Sequence, residues 1–162
     1  NSLGGGLVFS GEGTIQNCTF AENEAAGGVG FFGAAIVAHG TESQGLEILN
    51  TIFWNNITNH EWTPMTCSVG NPGTPVPLPG SGNLQWPTLR NGPANNPDNA
   101  CTTNIMFADA MLGALQDNGG PTPSMMPAVG SVAIGLGADC PDTDQRGEPR
   151  STTTCTAGAV EP

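Results

Sequence analysis

The chain has no lysine and no tyrosine, and its only fixed cations are Arg90, Arg146 and Arg150. Charged residues fill 10% of its 162 positions, and 14 of them are Asp or Glu, so the formal net charge is -11. Nucleic acid and anionic membrane surfaces both demand basic patches, so neither is expected as a partner. No apolar run approaches the ~20 residues of a spanning helix, so this segment does not insert in a membrane as one. Nothing reads as a signal peptide, and position 1 is Asn rather than Met, as in a processed or truncated piece of a longer product. Sustained helical periodicity is missing too; the nearest approach is Ile105–Leu115, which allows one short turn of helix. Glycine (24) and proline (14) are in excess, which with so little charge favours short strands joined by tight turns in one domain.

Among those turns a ten-residue pattern recurs at an offset of 33. Thr14–Asn23 reads TIQNCTFAEN and Glu47–Asn56 reads EILNTIFWNN, with Ile15/Ile48, Asn17/Asn50, Phe20/Phe53 and Asn23/Asn56 coinciding. Ahead of each copy, Gly4–Gly11 (GGGLVFSG) matches Gly33–Gly40 (GAAIVAHG) at an offset of 29, the difference fitting an insertion near Glu42–Gly45. A period near 30 signifies stacked supersecondary units. Each unit resolves into three strand candidates: Leu7–Phe9 and Ile36–Ala38, Thr14–Gln16 and Glu47–Leu49, Thr19–Ala21 and Ile52–Trp54. Side-chain parity slips at Asn17–Cys18, turning Cys18 and Phe20 inward, as at a corner between two faces. Stacking the units puts Phe20 over Phe53 and asparagine over asparagine at both corners, where left-handed backbone is tolerated. The expected fold is all-β: a right-handed parallel β-helix with about two clear three-strand rungs and an irregular, loop-rich, disulfide-pinned C-terminal cap. The rungs lie in residues 1–60 (units 4–32 and 33–58). Residues 61–111 form a loop-rich insertion with at most one more partial rung, in which Asn83–Trp86 is the strand candidate. Residues 112–162 form the cap. The sequons at Asn17 and Asn56 read as ladder asparagines rather than glycan carriers.

Five cysteines make no CxxC and no metal-ligand spacing with histidine, so zinc is not expected. Cys140 and Cys155 bracket a Pro-, Thr- and Asp-rich loop, and Cys67 and Cys101 a still less regular one; a disulfide in each would restrain it. Cys18 is left over, a small repeat residue opposite Thr51. Two bridges point to an oxidising, extracellular setting. Trp54, Trp62 and Trp86 read as packing beneath the long loops, with stacking against sugar rings as the sharper alternative. His39 and His60 have no evident partners.

The tail carries a family resemblance. LGALQDNGGPTP (Leu112–Pro123), GSVAIGLGADC (Gly130–Cys140), TDQRGEPR (Thr143–Arg150) and CTAGAVE (Cys155–Glu161) follow one another in order. This series resembles the C-terminal region of bacterial surface proteins described as choice-of-anchor Q domain proteins, related to polymorphic outer-membrane-protein-like β-helix repeats. The NCTFAEN and NTIFWNN units resemble that family's NSTFSGN rungs. The resemblance implies a secreted or cell-surface β-helix. SVAIGLG and CTAGAVE each lack an aspartate usual in the family, which puts in doubt any cation site built on it. Asp139, Asp142 and Asp144 remain weak calcium candidates without an EF-hand or nonapeptide pattern; no other cofactor is expected. Arg146 and Arg150 are expected to satisfy local carboxylates or carbonyls at the end of the solenoid.

Two rungs are few for a free-standing solenoid. The chain also opens at a rung boundary, which leaves the Leu3, Leu7 and Phe9 edge to be covered. The expected function is therefore a non-enzymatic extracellular structural or adhesive surface module. It would be part of a longer β-helix protein or a subunit stacking end to end into a fibre. Its partners are copies of itself or the remainder of that polypeptide, with glycans as a further candidate. The alternative is a carbohydrate-binding or polysaccharide-active β-helix. Catalysis there needs paired carboxylates or a base, and Glu12, Glu22, Glu24 and Glu47 supply no convincing pair.

Overall fold

Among the described residues, twelve short strands form between tight corners. The structure, a computed structural model, describes residues 5–25, 33–38, 45–58, 66–69, 76–89 and 96–162. Leu3, His39, His60, Trp62 and Arg90 lie outside these residues. The first pass of the chain contributes β1 (Leu7–Phe9), β2 (Gly13–Gln16), β3 (Thr19–Ala21) and β4 (Glu24–Ala25). The second contributes β5 (Ile36–Ala38), β6 (Leu46–Leu49), β7 (Ile52–Trp54) and β8 (Ile57–Thr58). Then follow β9 (Cys67–Val69), β10 (Gly80–Ser81), β11 (Leu84–Trp86) and β12 (Met106–Phe107).

Every strand pairing is parallel, and strands of successive passes lie side by side. The sheets run β1-β5-β9, β10-β6-β2, β12-β11-β7-β3 and β4-β8. The two sequence offsets are strand registers. Leu7 pairs with Ile36, the offset of 29, while Ile15 pairs with Ile48 and Phe20 with Phe53, the offset of 33. The molecule is all-β, a stack of parallel strands of the solenoid kind. Between 61 and 111 the chain does more than the one partial rung expected. It supplies a strand to each of three sheets, and then β12 and an isolated Leu78–Thr102 bridge beyond them. In Ile105–Leu115, where a turn of helix was allowed, the structure has β12 instead, because Met106 and Phe107 find a parallel partner in β11.

Inside the stack, Ile36, Ala38, Leu46, Ile48, Phe53, Cys67, Val69 and Leu78 form the main core. Phe20 and Phe53 stack with ring centroids 5.5 Å apart and planes 11° from parallel, a geometry that adds about 0.5–1.5 kcal/mol beyond burial. A column of left-handed corners runs through the passes: Asn17 (φ 49), Asn50 (φ 50), Gly82 (φ 66) and Asn104 (φ 52). Glycine at 82 is dictated twice over, since a Cβ there would also lie 2.3 Å from Asn50 Oδ1. At the second corner the expectation slips by one residue. Glu22 (φ 55) and Asn55 (φ 50) take the left-handed turn, and Asn23 and Asn56, one position later, form the ladder.

The tail does not lie as a cap over the end of the stack. It runs back along the outer flank of the corner between β2/β6 and β3/β7. The reason is apolar: Ile52 and Leu84 point outward from their strands and are buried under Ala110, Leu112, Ala133 and Ala157, a second core. The backbone comes close enough that a Cβ on Gly158 (φ 96) would lie 2.7 Å from Ile52.

Candidate functional site

Each pass grips the pass before it with a side chain, and this rule defines what the first pass leaves open. Thr51 Oγ1 accepts the Cys18 N–H (3.3 Å), and Asn83 Oδ1 accepts the Thr51 N–H (2.8 Å). Asn83 also donates to the Ile48 carbonyl (2.7 Å). In the other column, Asn56 Oδ1 accepts from the Asn23 N–H (3.1 Å) and Nδ2 (2.9 Å), while Asn56 Nδ2 donates to the Phe20 carbonyl (2.8 Å). The positions equivalent to Thr51 and Asn56 in the first pass are Cys18 and Asn23, with no described pass before them to hold.

Among the described residues the first pass is therefore an edge in every sheet: β1, β2, β3 and β4 each stand at one end of their strand order. Its inward residues Leu7, Phe9, Ile15 and Phe20 are half-buried, whereas their neighbours Ile36, Ala38, Ile48 and Phe53 are fully buried. Leu7 and Phe9 belong to β1, an end strand of its sheet among the described residues. Cys18 is the free cysteine at this edge; burial pushes its thiol pKa up, and its Sγ donates to the Gln16 carbonyl. A groove of about 850 Å³ runs along the corner residues Gln16–Glu22, walled by the tail at Leu115, Met125, Thr143 and Gln145.

The tail is pinned to the first two passes through the corner asparagines. Asn17 Nδ2 donates to the Thr156 carbonyl (3.2 Å), and Thr19 Oγ1 accepts the Ala159 N–H (3.0 Å). Asn50 Nδ2 donates to the Ala138 carbonyl (2.7 Å), its Oδ1 accepts the Ala138 N–H (3.3 Å), and its own carbonyl accepts the Gly158 N–H (2.8 Å). With Asn17 and Asn56 both buried and their amides engaged, neither sequon presents an acceptor for a glycan in the folded chain.

Within the tail, Arg146 and Arg150 do satisfy local carboxylates and carbonyls, though on the flank rather than at the end of the stack. The fully buried Asp144 carboxylate accepts from Arg146 Nε (2.9 Å) and from the N–H groups of Arg146 (2.7 Å), Glu148 (3.1 Å) and Glu161 (2.9 Å). Arg146 also donates to the Glu161 carbonyl. Arg150 donates to the carbonyls of Thr156 (3.1 Å) and Gly158 (2.9 Å) and pairs with Glu161 (3.3 Å). Burial pulls its pKa down, against the attraction of Glu161 and Asp144. Burial would raise the Asp144 carboxyl, but the hydrogen bonds from Glu161, Arg146 and Glu148 outweigh it and hold the pKa below the usual value. A depressed folded-state pKa stabilises fully above the unfolded value near ~4 and is lost as pH falls through the folded value. Asp144→Asn is accordingly expected to flatten the acid limb of a stability–pH curve below pH ~4, measured by denaturant unfolding. An unchanged acid limb would contradict this assignment.

These contacts account for Asp144 without a metal. Its oxygens face N–H donors, and Asp139 and Asp142 are exposed. The three do not form a shared cluster, and among the described residues no group of three His, Cys, Asp or Glu is placed to hold a cation. Cys67 bonds Cys101 and Cys140 bonds Cys155, with Cα–Cα distances of 5.2 and 6.3 Å. Trp54 and Trp86 are neighbours in register on the outward side of β7 and β11. Trp54 packs into the flank core and donates from Nε1 to Asp109 (2.9 Å), which fits the packing reading. Composition missed Gln85, which takes the third place in the Phe20–Phe53 column. It holds Asp98 (2.9 Å), the Asn99 carbonyl (2.8 Å) and the Cys101 N–H (2.9 Å). No local pattern marks a buried glutamine in advance.

No family model, curated protein or solved structure matches the chain.

Proposed function

We propose that the chain is a non-enzymatic structural or adhesive module of an extracellular surface, built as a right-handed parallel β-helix that continues into another tier. The observation that carries this reading is the first-pass edge: four edge strands with Leu7, Phe9, Ile15 and Phe20 half-exposed above a continuous core. Unpaired parallel strands over an apolar column are a template for more strands. The tier that covers them is either more of the same polypeptide or a second copy; end-to-end contact of copies is heterologous and does not close. Two disulfides fit an oxidising, extracellular compartment. The acidic residues support solubility at the surface rather than chemistry: Asp144, the one deeply buried carboxylate of the tail, is occupied by backbone and arginine donors.

Sedimentation velocity tests the reading. Species heavier than the 16.4 kDa chain, growing with protein concentration and with salt, are expected. A single monomer boundary under every condition would contradict it.

A further inference from the structure

The two ends of the stack carry the same columns, so each end is the template for the other. At the far end, β12 is the last strand of its sheet, and its register with β11 extends every column by one place. Asn104 continues the left-handed corners of Asn17, Asn50 and Gly82. Ile105 follows Cys18, Thr51 and Asn83. Met106 follows the outward residues Thr19, Ile52 and Leu84, and Phe107 follows the inward residues Phe20, Phe53 and Gln85. Ile52 and Leu84 are buried beneath the tail, but Met106 is 43% exposed and Phe107 37%.

Resting on the end-to-end reading above, we infer that β12 of one copy pairs in parallel with β3 of the next, Asn104 seated on Asn17 and Phe107 stacked on Phe20. Three features of the first-pass end receive this strand. Phe20 has one face on Phe53 and sits at the sheet edge, so Phe107 extends an aromatic stack already 5.5 Å in spacing. Met106 enters the groove between Gln16–Glu22 and the tail, where Leu115 and Met125 continue the apolar layer that covers Ile52 and Leu84 within one copy. The corner backbone needs no adjustment, because Asn104 (φ 52) and Asn17 (φ 49) already share one conformation. The contact joins unlike ends, so it propagates as a fibre. Charge opposes it: exposed Glu12, Glu22 and Glu24 border the receiving edge of a chain at net -11. Growth of the fibre is therefore promoted by salt.

A cysteine cross-link tests the register. Cys18 and Ile105 of adjoining copies stand across one parallel pair, about 4.8 Å apart at Cα, within the roughly 4.4–6.8 Å that a disulfide spans. Ile105→Cys under mild oxidation is expected to give a covalent ladder of dimer, trimer and longer species, with the new bond mapped to Cys18 by mass spectrometry. Adding Cys18→Ser abolishes the ladder, and Met106→Cys, one position out of register, forms none. Phe107→Asp, 37% exposed in the single chain, is expected to lose every species heavier than the monomer, while its denaturant unfolding midpoint shows whether the single chain still folds. Heavier species in the wild-type chain without a ladder in Ile105→Cys would overturn this register while leaving end-to-end stacking standing. A wild-type chain that stays monomeric would overturn both.

Discussion

Replacing Phe53 by alanine is expected to destabilise the fold by about 3–5 kcal/mol, the range for deleting a fully buried aromatic side chain. Phe53 is 0% exposed and sits in the middle of its column, with Phe20 on one side and Gln85 on the other. The cavity cannot collapse easily, because each neighbouring side chain is fixed by a parallel strand rather than by a loop. Phe20→Ala, at the half-open edge, costs less, since part of that ring is still in contact with solvent. Denaturant unfolding followed by tryptophan fluorescence measures both. A loss below about 1 kcal/mol for Phe53→Ala would mean that the column is not the core of the fold.

Removing the Cys67–Cys101 bridge is the other large effect. The bond closes a separation of 34 residues, for which the chain-entropy relation gives about 3–4 kcal/mol. It ties β9 to the segment that leads into β12, and the Cys101 N–H is held by Gln85, so bridge and hydrogen bond fix the same place. Cys67→Ser with Cys101→Ser is expected to lower stability by that amount. The Cys140–Cys155 pair closes a separation of only 15 residues and is worth about 3 kcal/mol on the same scale. Equal stability of wild-type and double-serine chains would contradict the constraint.

How far the fold could be read from the amino acids depended on whether stacked positions carry similar side chains. Asn17/Asn50 and Phe20/Phe53 do, and their offset of 33, like the offset of 29 between Leu7 and Ile36, is a strand register. The next pass keeps the geometry but changes the residues. Gly82 stands at the corner, Asn83 in the Cys18/Thr51 column and Gln85 in the phenylalanine column, so similarity fades while parity and the left-handed corner persist. β4 and β8 are two residues each, too short to show alternation. The flank was hidden for a different reason. Ala110, Ala133 and Ala157 cover Ile52 and Leu84 from irregular backbone, where no period links one contact to the next. Both disulfide pairings were legible because each bracketed a proline-containing segment of irregular sequence, although the Cys67–Cys101 segment in fact holds β10 and β11. The tail's arginines were legible as partners of carboxylates because the chain has so few cations. Their place on the flank was not, since that depends on contacts across more than a hundred residues.

End-to-end continuation through the first-pass edge is tested most directly by sedimentation velocity of the intact chain over a range of concentration and salt. The expected result is a distribution of species above 16.4 kDa that extends with both variables and collapses to the monomer in Phe107→Asp. One sharp monomer boundary for the wild-type chain throughout would contradict it.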